Sequence, residues 1–570
     1  MSSSDFEVLG SNSSAPFTLK LHRGEGMALI AMNWRGGTPP NDFVGFSIEY
    51  RVPDGDRYYP LKNRLAFRGV DGKLNPNTLS TRLSPIQKFR WIHFPPNSEL
   101  IGEFSYRVTP VFMDASGTLS YGEAQKADIE LRRETYPGNL NVTFTRGFVS
   151  SQAFVDRYQM YGPISEILPA KASQGLDFEP THPKAEEALA WMGFEARQAI
   201  LDVLDKALED PKSRVSVIAY DLNLPEVVER LEKLGQRLQI IIDDSGEHGG
   251  EDAAESAAEQ RLIASAGSAN VKRQHVLNLQ HNKMIVVDGS IHKLVVCGST
   301  NFSWRGFFVQ ANNAIVLSGN EAVTLFETAF MQYWEAPANK FGASTSADWA
   351  TLDLGSVKPE VSFSPHSEEN ARLADIAEDM KSTTSCLLYS LAFLYQTNGP
   401  VLDAIKSVTS KDEIFVYGIS DRKVGGLDLQ RPDGNVSPVF PDALGKDAPA
   451  PFNSEPTGGG GIRMHHKFVV VDFDKPDARV YLGSYNFSSP ADLKNGENLV
   501  FIKDRRVAVS YMVEALRIFD HYHFRIAQQD AVIAHKELAL QTPPKMEHDK
   551  PWWSEDYTDA RKIRDRELFS

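Results

Sequence analysis

One eight-residue pattern, His-x-Lys-x-x-x-x-Asp, occurs twice in this 570-residue chain: "HNKMIVVD" at 281–288 and "HHKFVVVD" at 465–472. Each copy runs into an apolar stretch that reads as a buried strand. Each is followed, 17 or 18 residues after its histidine, by Gly-Ser-x-Asn-Phe-Ser: "GSTNFS" at 298–303 and "GSYNFS" at 483–488. One copy of so short a pattern carries little information, whereas two copies with matched tails mark an internal duplication. The order of elements around them repeats as well. "RVSVIAYDL", "LPEVVERLEKLG" and "RLQIIIDD" read as strand, helix, strand before the first motif. "CLLYSLAFL", "GPVLDAIKSV" and "EIFVYGIS" do so before the second. Helical spacing of Leu189, Met192, Ala196, Ile200, Val203 and Ala207 predicts a helix ahead of the first set. Two α/β halves with helices on both sheet faces follow from this alternation.

The remaining chain divides by composition. Residues 1–135 alternate strand-like runs such as "GMALIAMNW" with turn clusters such as "GGTPPND", which predicts an antiparallel sandwich of fibronectin-III or immunoglobulin-like architecture. The α/β halves are then expected at 140–335 and 360–545, joined by a linker at 336–359, with a tail at 546–570. A polar, Ala-rich segment (245–270) precedes the first motif. A long Gly- and Pro-rich loop (421–463), ending in four glycines, precedes the second and reads as an entry loop. "PWWSEDY" in the tail reads as a segment that covers an exposed core edge.

The formal net charge of −15 argues against a broad nucleic-acid surface, whose affinity comes from Lys and Arg neutralising phosphates, but leaves room for a local cationic pocket. No run of 18 apolar residues is present and the first residues lack the pattern of a secretory signal. With only Cys297 and Cys386, both in apolar runs, a reducing cytoplasm is the expected compartment, with nonclassical release left open.

Residues two apart in a strand share a side, so each His-Lys pair is expected to face one way together. Two histidines, two lysines and two asparagines gathered at one groove suit a phosphodiester. One imidazole can attack phosphorus, the other can protonate the leaving oxygen, and the cations and amides can hold the non-bridging oxygens. His466, beside His465, has no accompanying ligand set at metal spacing and reads as structural.

With those residues in view the chain resembles the phospholipase D superfamily and its twin HKD motifs over roughly residues 140–545. Over that span, after the β-sandwich read from the strand pattern, the resemblance implies two pseudo-twofold-related α/β domains with the site at their interface. It implies His281, Lys283, Asn301, His465, Lys467 and Asn486 as the catalytic set, with no cofactor and no metal. Ser299 and Ser484 would shape the pocket, and Asp288 and Asp472 would tie motif strands to neighbouring loops. The N-terminal histidine, His281, would be the nucleophile. An acidic residue downstream of the motif often orients the histidine in this family. Glu497 occupies that place in the second half and Asn312 in the first, so the two histidines are not equivalent and His465 is expected to be the more basic.

The expected activity is phospholipase D hydrolysis of glycerophospholipids to phosphatidic acid, with possible transfer to an added alcohol, at a membrane or micelle surface. Trp304, Phe307, Phe308 and Tyr485 are candidates for an acyl groove or for core. A nuclease of the same superfamily and a catalytically idle binding protein are the other readings. The sequence leaves the oligomeric state open.

Overall fold

The computed structural model describes residues 5–570 except 70–71, 75–77, 132, 148–156, 170, 336–337, 395–396, 421–463, 534, 536 and 547. The loop at 421–463, with its glycine run, therefore lies outside the described residues. Two compact units are present: one made by the residues up to Arg133 together with Val509–Ser570, the other by the described residues from Glu134 to Ala508.

The first unit holds two antiparallel sheets. One is built from Glu7–Leu9, Phe17–Gly24, Met27–Trp34 and Arg90–His93. The other contains Phe43–Arg51, Tyr59–Pro60, Glu103–Met113 and Leu119–Tyr121, with Gln125–Glu130 paired to 103–113. Alternate residues of both sheets, among them Leu19, Ile30, Phe46, Ile48 and Tyr106, form one core. The C-terminal tail completes it. Trp553 is buried in that core, and Trp552 stacks on Phe89 while its indole N–H donates to the Phe43 carbonyl at 3.0 Å. An indole supplies a large apolar area and keeps one polar handle satisfied, which suits it to closing a sandwich edge.

The second unit holds two seven-stranded mixed sheets. The first consists of β1 (Leu140–Phe144), β2 (Arg214–Ala219), β3 (Leu238–Ile242), β4 (Val271–Arg273), β5 (Met284–Asp288), β6 (Lys293–Gly298) and β7 (Asn313–Ser318), in the spatial order β1-β7-β6-β5-β2-β3-β4. The second consists of β8 (Ala350–Thr351), β9 (Glu360–Ser364), β10 (Cys386–Leu391), β11 (Phe415–Ile419), β12 (Lys467–Val471), β13 (Arg479–Gly483) and β14 (Glu497–Ile502), in the order β8-β9-β14-β13-β12-β10-β11. Six strands correspond one to one, with β4 and β8 as the additions. The parallel pairs β2/β3 and β10/β11 are bridged by α2 (Pro225–Leu234) and α5 (Pro400–Thr409). Both helices begin with proline, whose fixed φ and missing N–H cost nothing at the first helical position.

The motif strands β5 and β12 lie centrally. Ile285, Val286 and Val287 are fully buried, as are Phe468, Val469, Val470 and Val471. Side chains of both parities are covered, so these strands read as continuous apolar runs. Each such Val or Ile stabilises the fold by about 1.5–3 kcal/mol, and a carboxylate at Val286 would break the sheet. Helix α1 (Ala185–Glu209) and helix α4 (Asn320–Glu335) both pack across β5 and β6. The six helically spaced residues predicted for α1 are all buried. The Ala-rich segment contains a helix, α3 (Ala254–Ala266), that the polar composition concealed. Its buried residues are Ala254, Ala258, Leu262 and Ala266, a four-residue repeat of mostly small side chains, together with Glu255. Cys297 and Cys386 are buried free thiols on β6 and β10. Among the described residues no helix is long and apolar enough to cross a membrane.

Candidate active site

Both motif histidines lie just before their strands, with Lys283 one residue ahead of β5 and Lys467 opening β12, because there the chain changes partner. Gln280 forms a parallel bridge with Gly496, and Met464 forms one with Ala311. Each motif is thus pinned, one residue before its histidine, to the opposite half, one residue before that half's Glu497 or Asn312. The His465 N–H donates to the Ala311 carbonyl at 3.1 Å, and the Gly496 N–H donates to the Leu279 carbonyl at 2.8 Å.

This stitching decides which group orients which histidine. His281 Nδ1 lies 2.7 Å from Glu497 Oε2, and His465 Nδ1 lies 2.8 Å from Asn312 Oδ1. The pairing is crosswise. The expectation that Glu497 would make His465 the more basic is overturned, since a residue at the head of β14 reaches across to the other half's imidazole. The Asn312 amide has a fixed orientation. Its Oδ1 accepts from Ser299 Oγ at 2.9 Å and its Nδ2 donates to the Gly306 carbonyl at 2.9 Å. The face it turns to His465 is therefore an acceptor. His465 Nδ1 also lies 3.2 Å from the Ser299 carbonyl. In both histidines Nδ1 meets acceptors, so Nδ1 carries the proton and Nε2 is left for chemistry. The rings stand 6.3 Å apart between centroids, tilted by 65°.

The four cationic candidates are buried: His281 and His465 are each 4% exposed, Lys283 1% and Lys467 fully enclosed. Each ammonium donates to the carbonyl of its own motif histidine, Lys283 to His281 and Lys467 to His465. Lys283 lies over the Tyr220 ring, and Lys467 lies 5.8 Å from the centroid of Phe393. Burial lowers the Lys283 pKa to about 7 against the raising influence of Glu497, Asp221 and Asp243. Lys467 falls well below its ordinary value through burial and the nearby charge of Lys283. For His281, burial and Lys283 pull downward and Glu497 pulls upward, with a net lowering. His465, with burial and Lys467, Lys283, His281 and Arg305 all acting against its charge, drops well below the usual imidazole range. Burial is the main influence against the charged forms of these four groups, and a bound anion would favour them.

The Gly-Ser-x-Asn tails follow β6 and β13. Gly298 and Gly483 both have φ +136, where a Cβ would strike the carbonyls of Asn313 and Asn498 on the neighbouring strand, so glycine is required at each. Ser299 Oγ accepts the Asn313 N–H, and Ser484 Oγ accepts the Asn498 N–H, both at 3.0 Å. These serines fasten the tail to β7 and β14. Asn301 donates Nδ2 to Asp221 at 2.7 Å, and its Oδ1 has no partner among the described residues. Asn486 is half-buried with an equally unpartnered Oδ1.

The motif aspartates differ. Asp472 is buried and accepts from the backbone N–H groups of Thr384, Ser385 and Cys386 and from Thr384 Oγ1, tying β12 to the loop before β10. Asp288 is half-exposed and pairs with Lys293 across its hairpin. In the first half the clamp runs the other way. Asp210, in the loop before β2, accepts the N–H groups of Ser290 and Ile291 beyond β5.

Trp304, Phe307 and Phe308 are buried, and the Trp304 indole donates to the Gly175 carbonyl at 2.8 Å. Tyr485 is fully buried beside Phe487. All four are core. His466 sits edge-on to Phe144 and Phe468. Among the described residues one group could gather a cation, Asp221, His248 and Glu255, which sequence reasoning passed over within the polar segment. The one signal for it was the pair Asp243-Asp244 closing a strand beside the groove.

The family model described as "Cardiolipin synthase, PLD-like domain" matches residues 204–334 and 378–519, so that each matched stretch carries one motif. The chain belongs to the phospholipase D superfamily. A protein of Rickettsia felis named phospholipase D is 42% identical over 48 residues, which are 8% of this chain and 22% of that protein. The chain thus spans about a fifth of the length of the curated relatives it matches. Among solved structures, Nuc from Salmonella typhimurium is 25% identical, covering 24% of this chain and 86% of that one, with a TM-score of 0.20. Phosphatidylserine synthase of Haemophilus influenzae is 14% identical, covering 65% of this chain and 92% of that one, with a TM-score of 0.38.

Proposed function

We propose that the chain is a phospholipase D that hydrolyses glycerophospholipids to phosphatidic acid through a phosphohistidine, with transfer to an added alcohol as the alternative second step. The observation that carries this reading is the crosswise pairing of His281 with Glu497 and of His465 with Asn312, their rings 6.3 Å apart. We read the halves, 140–335 and 360–545, as related by a pseudo-twofold. The matched strand orders and reciprocal bridges support this.

In the first step His281 Nε2 attacks phosphorus and the bond to the headgroup oxygen breaks. His465, protonated at Nε2, gives its proton to that oxygen, and the headgroup leaves as an alcohol. Glu497 accepts the Nδ1 proton's hydrogen bond and stabilises the positive charge that grows on His281. No such carboxylate serves His465. Its proton, held against its neighbours' charges, is readily given up once the substrate anion has made protonation possible. In the second step His465 takes a proton from water, the hydroxyl oxygen bonds to phosphorus and the phosphorus–nitrogen bond breaks. Phosphatidic acid is released and His281 is restored. Lys283, Lys467, Asn301 and Asn486 hold the non-bridging oxygens, and the chemistry as written needs no metal or cofactor.

The net charge of −15 and the name borne by the Rickettsia relatives support a lipid over a nucleic acid, at the surface of a membrane or micelle. The test uses purified protein, mixed phospholipid vesicles and EDTA, with phosphatidic acid followed by mass spectrometry and a His281→Ala, His465→Ala double variant as blank. Phosphatidic acid from the intact protein alone is the expected result. Cleavage of DNA or RNA without lipid turnover would replace the lipid reading with a nuclease.

A further inference from the structure

The ends of β2 and β3 carry a polar network beside the first histidine. His248 places Nδ1 2.8 Å from Asp243 Oδ2 and Nε2 3.2 Å from Asp221 Oδ1. With a carboxylate on each ring nitrogen, both nitrogens donate, so this imidazole is a cation shared by two acids. Burial works against that charge, but the hydrogen bonds His248 donates to Asp221 and Asp243 and the charges of Asp221 and Glu255 outweigh it and push His248 up to about 10.

Each acid has a second task in the site. Asp243 Oδ1 accepts the N–H of Gln280, the residue before His281, at 2.7 Å. Asp221 Oδ2 holds the Asn301 amide at 2.7 Å. The Tyr220 ring fills the space between, with its centroid 4.4 Å from that of His248 and 4.6 Å from that of His281, edge-on to both. The strand registers set Ile218 opposite Met284 and Ser390 opposite Phe468, so Tyr220 and Asp221 correspond to Ala392 and Phe393. The second half therefore offers a methyl group and a phenyl ring in place of the tyrosine and the carboxylate.

We propose that His248 is a positioning residue for the first half of the site: as the cation between Asp221 and Asp243, it holds Tyr220 against the His281 ring and Asn301 at the edge of the phosphate. The inference rests on the phosphodiesterase reading above. The cation also offsets carboxylates that would otherwise face an anionic substrate. Asp221, Asp243 and Glu255 cluster on this side, with Lys283 and Arg305 as nearby opposing charges. Losing His248 therefore disturbs the nucleophile's geometry and the local field together.

The test compares the full chain with its His248→Gln variant by two readouts. One is kcat/KM on the soluble diester bis(p-nitrophenyl) phosphate. The other is the imidazole ¹⁵N resonances of His281 and His465, assigned by loss in their alanine variants. Expected are a fall in kcat/KM of about 100-fold, the cost of a small misplacement of a reacting group, and a displaced His281 resonance beside an unmoved His465. Unchanged kinetics with an unchanged His281 signal would overturn the proposal. So would equal shifts of both histidines with a lowered Tm, which marks general loosening. A wild-type activity removed by EDTA and restored by a divalent cation would overturn it too, by making Asp221, His248 and Glu255 a metal site. If the wild type leaves the diester uncleaved, the phosphodiesterase reading falls while the resonances still decide the positioning. Should His248→Gln not fold, Tyr220→Leu, which removes the ring and no charge, is expected to move the His281 signal alone; an unmoved signal there overturns the proposal.

Discussion

The two halves of the α/β unit share a frame and differ in what they hang on it. Strand order, the glycines at 298 and 483 and the serines at 299 and 484 repeat almost without change, because each is fixed by backbone geometry that both sheets impose. The groups around the histidines do not repeat. His281 has a carboxylate orienter, a tyrosine against its ring and a partly buried network behind it. His465 has an amide and an apolar neighbour. Repetition follows where the fold needs it, and divergence falls where the proposed mechanism gives the two imidazoles opposite tasks, one accepting positive charge and the other surrendering it.

That contrast can be broken outright. His281→Ala is expected to reduce lipid turnover by about 10⁴-fold or more. In acid-labile trapping of labelled substrate it should leave no phosphoenzyme, whereas His465→Ala should still trap label at His281 from a substrate with a good leaving group. Label retained in His281→Ala would assign the nucleophile to the other half. Glu497→Gln is expected to cost about 100-fold in kcat, measured on the same substrate. Its counterpart, Asn312→Asp, should raise the pKa of His465 in an NMR titration while changing the rate by less than about tenfold. Equal losses from the two changes would mean that the asymmetry carries no function.

The pH profile sharpens the same comparison. His281 must be neutral to attack, and its folded pKa is lowered, so kcat/KM should rise with pH on a limb below 6.5. Lys283 must be charged to bind phosphate and loses its proton near 7, so activity should fall on the alkaline side of about 7. Lys283→Arg, whose guanidinium stays charged, should remove the Lys283 contribution to that falling limb and leave those of Lys467 and His465, whose pKa values are also lowered. The smallest effects concern the motif aspartates. Asp472→Asn disturbs a buried acceptor of four hydrogen bonds and should destabilise the fold by about 3 kcal/mol in urea unfolding. Asp288→Asn loses a half-exposed ion pair worth about 0–1 kcal/mol.

Much of this architecture was legible in the residues. Apolar runs of five or six, punctuated by Gly and Pro, marked the central strands. The doubled motif marked the site, since a repeated spacing survives wherever the backbone demands it. The partner of each histidine was not legible. Position along the chain puts Glu497 with His465, and only the exchange of bridges at Gln280 and Met464 sends it to His281. Helix α3 was hidden because alanine carries too little hydrophobicity to stand out from its polar neighbours. His248 was hidden with it. A lone histidine in a polar stretch gives no sign of the two carboxylates that the sheet brings to its ring.

The reciprocal bridges also bear on inheritance. A gene fragment encoding one half would carry a histidine without its orienter and an orienter without its histidine. Mutation at 312 or 497 is read out on the far side of the groove, so a change in one half acts on the histidine of the other.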